Sequence, residues 1–102
     1  MKRGEIWHYS PALPDGTPSP RHSAAVLVSD PAVISSQYRW LHVVPLADVD
    51  PGHVLALYTT HGWADALEMH RVYREWLTEQ AGELSADEAE ALDARLRATL
   101  NL

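Results

Sequence analysis

The run Ala24-Ala25-Val26-Leu27-Val28 contains no polar residue and is stopped at once by Ser29-Asp30-Pro31. An apolar run so bounded reads as a strand buried on both faces, and such a strand belongs in the middle of a sheet rather than at its edge. The rest of the chain must therefore supply neighbours on either side and cover above and below. With 102 residues, 46% of them hydrophobic, it can close one modest core, and residues 1–102 are read as a single domain.

The neighbours are visible as further short runs. Glu5-Ile6-Trp7-His8-Tyr9 joins β-branched and aromatic residues and ends at Ser10-Pro11. Tyr38 to Val44 reads as another strand, closed by Pro45, and His53 to Tyr58 as a third after the Asp50-Pro51-Gly52 turn. Strands at this spacing suggest a small barrel or a strongly curved sheet. Between the first two, residues 10–20 hold four of the seven prolines and the turn pair Asp15-Gly16, so they read as a long exposed loop, either a plain connection or a binding loop.

Two segments read as helical. Ser85 and Glu88 are spaced as a capping box, Asp87, Glu88 and Glu90 place negative charge near the positive helix end, and Ala89, Leu92, Leu96 and Leu100 form one apolar stripe. Asp93 and Arg97 form an i, i+4 pair on its wet side. Asp65 to Leu77 is ambiguous: Met69, Val72, Tyr73, Trp76 and Leu77 fit a helical stripe, whereas alternation of Leu67, Met69, Arg71 and Tyr73 fits a strand.

Charge and composition bound the function. The net charge of −6 argues mildly against gripping nucleic acid with the whole surface, but the acid is concentrated late in the chain. Residues 1–62 hold four basic and five acidic side chains, residues 63–102 four and nine. A near-neutral N-terminal part can still accept RNA. Lack of Cys removes disulfides, thiolate zinc sites and a cysteine nucleophile, which makes the cytoplasm the natural compartment. No apolar run approaches a membrane span, and Gly4-Glu5 follows the basic start where a signal segment would be apolar. The six histidines show no close ligand spacing, so neither metal nor cofactor is expected.

Taken in order, Lys2-Arg3-Gly4-Glu5-Ile6-Trp7, then Ala24 to Ser29, then Val43-Val44-Pro45-Leu46, then Gly82-Glu83-Leu84-Ser85 with Leu92, Leu96, Leu100 and Leu102, the chain resembles the MazF/PemK toxin family. That resemblance covers essentially the whole chain, with a deletion of a few residues around Gly62 to Asp65. It implies an α+β, β-rich fold, an SH3-like barrel of the CcdB/PemK type or a curved antiparallel sheet, with a C-terminal amphipathic helix. It also implies a strand over roughly residues 66–73, which is ranked ahead of the local helix pattern because tertiary context often overrides local preference. The implied function is that of a toxin in a toxin–antitoxin pair, a metal-independent endoribonuclease on single-stranded RNA, homodimeric and held by a cognate antitoxin. The alternative is a catalytically degenerate toxin-fold protein that acts by binding a partner.

Family chemistry has the ribose 2′-hydroxyl attack the adjacent phosphate, which requires a base, an acid and groups that stabilise charge on phosphorus. The family's Arg position is Ser23 here, its Pro position Ala24 and its Thr position Ala47. Both usual catalytic side chains are thus replaced. Arg21, two residues before Ser23, shares its side if the strand extends that far and could serve as a displaced phosphate clamp; its ordinary reading is a solvated Arg at a loop end. His22 could act as acid or base near neutral pH, or be a plain loop histidine. Arg21, His22 and Ser23 are the candidate catalytic residues. Trp7, which could stack on a base or simply fill the core, Asp48, an acceptor or a turn former, and Arg71 are the candidate RNA contacts.

Overall fold

The computed structural model describes residues 1–9 and 23–101; the expected proline-rich loop, Arg21, His22 and Leu102 lie outside the described residues. The elements in order are β1 (Glu5–Tyr9), β2 (Ser23–Leu27), α1 (Pro31–Ser35), β3 (Trp40–Ala47), β4 (Ala56–Thr59), β5 (Gly62–Asp65), β6 (His70–Tyr73), a 3-10 turn (Arg74–Trp76), β7 (Leu77–Glu83) and α2 (Ala86–Leu100). The seven strands form one curved, unclosed antiparallel sheet in the order β4-β5-β3-β2-β1-β7, with β6 paired to β3. This is the curved-sheet form of the expected architecture.

β2 is central and covered on both sides, as its composition requires. Val26 packs with Ile6, Val44, Leu84, Leu92 and Leu96 beneath α2. Ala25 and Leu27 face the other way, against Leu41, Val43, Val72, Leu77 and Ile34 of α1. The alternation of a strand thus serves two cores with one short segment.

Several boundaries differ from expectation for identifiable reasons. β3 starts at Trp40 rather than Tyr38 and runs through Pro45 to Ala47. His42 directs its backbone toward β2, with its N–H on Ser29 Oγ at 2.7 Å and its carbonyl on Val28 N at 3.0 Å, so by alternation Pro45 faces the opposite edge. On that edge β6 pairs only through Val43 and β5 begins at Leu46, so the missing proline N–H falls in the gap between partners. The third expected strand starts at Ala56, because His53 Nδ1 accepts the Leu55 N–H at 3.2 Å and curls residues 53–55 into a turn. Neither α1, capped by Asp30 on Ala32 N with Pro31 in its first turn, nor β5 nor β7 is evident from the sequence pattern.

The helical reading of Asp65 to Leu77 is not borne out, and the implied strand is, over His70–Tyr73. β6 hydrogen-bonds the N-terminal half of β3, turns Val72 into the core beside Leu41, and stacks Tyr73 on Trp40 with ring centres 3.8 Å apart. A helix there would leave that edge of β3 without backbone partners. Residues 65–68 form a tight turn, the Asp65 carboxylate accepting from Leu67 N at 2.9 Å and its carbonyl from Glu68 N at 2.9 Å.

At the C terminus, the capping box of α2 forms as expected, and Leu92 and Leu96 are buried. Two details are corrected. Leu100 lies 49% exposed, and Asp93 pairs with Arg3 at 2.8 Å rather than with Arg97, since β1's entry lies beside that turn of helix. The Glu88 carboxylate makes a second tie, accepting from Ser85 N at 2.9 Å and from Thr60 N at 2.8 Å, which joins the β4–β5 turn to the start of α2.

Arg74 closes the opposite end. Its guanidinium donates to the carbonyls of Val33, Ile34, Ser36 and Tyr38, so it brings a charged donor to the carbonyls at the end of α1 and just beyond it. Arg74→Met is expected to lower stability by about 2 kcal/mol in urea denaturation, with an unchanged slope, because several carbonyls lose a charged donor. The N–H groups of Ser85 and Thr60 hold the Glu88 carboxyl below its ordinary 4.5 despite partial burial. A depressed carboxylate stabilises the fold above its unfolded value and ceases to as pH falls through the folded value. Glu88→Gln should therefore flatten the decline in unfolding midpoint on acidification below about pH 4.5 relative to the parent chain.

Candidate functional site

β3's exchange of partners opens a groove of about 440 Å³ on the face away from α2. Its walls are Tyr9, Pro45, Ala47, Asp65, Glu68 and His70, and residues 49–51 form its rim. That volume lies in the range of ligand-binding clefts, whereas the space between β2 and α2 holds only about 120 Å³. Alternation explains the lining: Val43 pairs with His70, so both face the side to which Pro45 and Ala47 also turn.

Strand register brings three ends together here. Tyr9, the last residue of β1, pairs with Ser23, the first of β2. Ala25 pairs with Pro45, and the same register continued by two residues sets Ser23 across from Ala47. Gly62 closes the floor behind Ala47: its φ is +125°, and a β-carbon there would stand 3.0 Å from the Ala47 carbonyl oxygen, so only glycine fits.

The carboxylates of the groove are mostly engaged. Asp50 accepts from Gly52 N at 2.8 Å, and Asp65 accepts from Leu67 N and from His53 Nε2 at 3.0 Å. His53 is fully committed, since its Nδ1 holds the Leu55 N–H while Nε2 meets Asp65. Glu68 lies 3.2 Å from His70 Nε2. No Lys or Arg lines the groove among the described residues. Nor do the described residues gather three His, Asp or Glu side chains into a group able to hold a metal.

The sequence candidates are dispersed. Ser23 opens β2 beside the groove, and Arg21 and His22 lie outside the described residues. Asp48 is exposed in the bend after β3, between two groove residues, Ala47 and Val49. Trp7 is half-buried against the α1-side core, and its indole N–H donates to Glu5 at 3.2 Å. Burial of Glu5 works to raise its carboxyl, but the Lys2 backbone N–H, the Trp7 indole and the charges of the N terminus and Lys2 outweigh this and lower it. Arg71 pairs with His42 on the other face and lies over the Trp40 ring at 4.4 Å. The His70–Glu68 and His53–Asp65 pairs were not singled out by pattern; His-x-carboxylate spacing on a strand is the one signal for the first, and none marks the second.

The whole fold is similar to several solved toxins. It matches a mycobacterial endoribonuclease in complex with its cognate antitoxin at 15% identity and a TM-score of 0.84, over 100% of this chain and 96% of that one. MazE-MazF from Deinococcus radiodurans (Form-III) matches at 17% and 0.81, over 100% and 97%. The Mycobacterium tuberculosis toxin MazF-mt6 matches at 14% and 0.70, over 94% and 97%. No family model and no curated protein sequence matches the chain. At these identities the likeness is one of fold, and the fold is that of MazF.

His53 acts as a pin for the groove's outer wall, so His53→Ala should cost about 1 kcal/mol of stability, read as a lower urea midpoint, by freeing the Leu55 N–H and the Asp65 carboxylate.

Proposed function

We propose that this chain is the toxin of a toxin–antitoxin pair, a single cytoplasmic domain that cuts single-stranded RNA without a metal. The observation that carries the reading is the full-length match, at a TM-score of 0.84, to an endoribonuclease solved with its cognate antitoxin. In this reading its partners are a cognate antitoxin protein, single-stranded RNA and a second copy of itself. The register supports the residue assignment: Ser23 and Ala47, which stand at the family's Arg and Thr positions, come opposite each other beside a groove of ligand-binding size.

The reaction joins the ribose O2′ to phosphorus and releases the 5′-oxygen, so it needs proton transfer and stabilisation of charge on the phosphoryl oxygens. In this reading Arg21 supplies the cation that Ser23 does not, and His22 and Ser23 offer titratable and hydrogen-bonding groups at the same strand end. Asp48, next to Ala47, contacts substrate where the RNA leaves the groove. Trp7 and Arg71, being placed away from it, contribute to RNA binding only along a longer path.

One observation favours a second reading, a toxin-fold binder without nuclease activity: the described groove walls carry Asp50, Asp65 and Glu68 and no cation. The two readings separate cleanly. The nuclease degrades a long single-stranded RNA in EDTA, induction in cells yields discrete new 5′ ends, and Arg21→Ala slows cleavage by roughly 10²- to 10³-fold. Growth arrest with intact RNA, or an intact RNA at high protein concentration, decides for the binder.

A further inference from the structure

Two histidine–carboxylate pairs border the groove, and they spend their ring nitrogens differently. His53 uses both, Nδ1 for the Leu55 N–H and Nε2 for Asp65, so it has no site left for a substrate proton. His70 uses one. Its Nε2 lies 3.2 Å from Glu68 Oε2, and among the described residues its Nδ1 has no hydrogen-bond partner. An ionised carboxylate only accepts, so Glu68 fixes the proton of the neutral ring on Nε2 and leaves the Nδ1 lone pair basic. A base oriented by a third group is the arrangement that proton-transfer catalysis requires.

Position points the same way. Ala47, on the opposite wall, has no group that can move a proton, and Asp50 and Asp65 are held in turns. Among the described groove residues this leaves the Tyr9 phenol and the His70 imidazole, and of the two only the imidazole has a carboxylate partner that orients it. The His70 side chain is 48% exposed, enough for a ribose to reach it, while its backbone is fixed by pairing with Val43.

We propose that His70 is the proton-transfer residue of this groove, acting on the ribose 2′-hydroxyl of bound RNA, with Glu68 as its positioning residue. The assignment rests on the ribonuclease reading above. His70 Nδ1 takes the 2′-hydroxyl proton as O2′ bonds to phosphorus and the P–O5′ bond breaks. The departing O5′ takes a proton from water, and the hydroxide left behind recovers the proton from His70. The products are a 2′,3′-cyclic phosphate and a 5′-hydroxyl end. Transfer thus moves to the β6 wall, away from the positions that Ser23 and Ala47 occupy.

The test is single-turnover cleavage of a long single-stranded RNA in EDTA by the full chain and its variants, alongside thermal melts. His70→Ala is expected to melt with the parent, because the site is an exposed strand position, yet to lose about 10²-fold or more in rate. Added imidazole should restore part of that loss, which a purely structural role would not permit. Glu68→Ala should lower kcat less than His70→Ala does and leave KM unchanged. If the parent cuts RNA and His70→Ala cuts within about threefold of it, or loses activity that imidazole does not restore, the assignment is overturned while the ribonuclease reading stands. An inert parent overturns both.

Discussion

β3 pairs on one edge with β2 and on the other with two different strands, and the exchange occurs at a proline that can offer no N–H to either. Much of the molecule's shape follows from that joint. β6 leaves with His70, β5 and β4 diverge with Asp65, and the space between them is the groove. A residue with an N–H at 45 would carry an unpaired donor into a partly buried gap, at a cost of about 1–3 kcal/mol unless water reached it. The proline removes the problem at its source, and the strand can continue to Ala47 without a break.

Splaying a sheet in this way leaves ends that must be tied down, and the ties come from distant parts of the chain. Thr60 reaches the Glu88 carboxylate at the start of α2, Arg3 reaches Asp93 one helical stretch further on, and Arg74 gathers the carbonyls that follow α1. Each joins elements that share no ladder. The exposed Arg3–Asp93 pair contributes little by itself, whereas Glu88 and Arg74 satisfy backbone groups and matter more. The helix tied on in this way covers the Val26 face, so the acidic residues of α2 lie across the sheet from the groove.

Features that depend on local pattern were legible in the sequence. The apolar run at β2, the capping box at Ser85 and the curved antiparallel architecture all appear as expected. What was hidden depends on partners. β6 carries a helical stripe yet is a strand because β3 needs its edge filled, and β7 shows seven residues with little apolar character that pair along β1. Asp93 chose Arg3 over a helical neighbour for the same kind of reason. At the site, Ser23 and Ala47 were legible as the positions matching the family's Arg and Thr, but that they come opposite each other follows from the strand register, and the two histidine pairs depend on a turn at residues 53–55 and on a strand direction at β6 that no local pattern fixes.

The groove draws on more of the fold than the wall that ends at Ser23 and Ala47. A strand end that exchanges partners exposes three walls, and the β2–β3 wall ends in Ser23 and Ala47. The β6 side has a different composition: two residues apart on one chain segment, a carboxylate and an imidazole sit at hydrogen-bond distance, exposed and lining the groove. An exposed pair of that kind adds almost nothing to stability. The Glu68 carboxylate favours the ring tautomer that carries its proton on Nε2, and that is the feature the proposed proton transfer at His70 draws on.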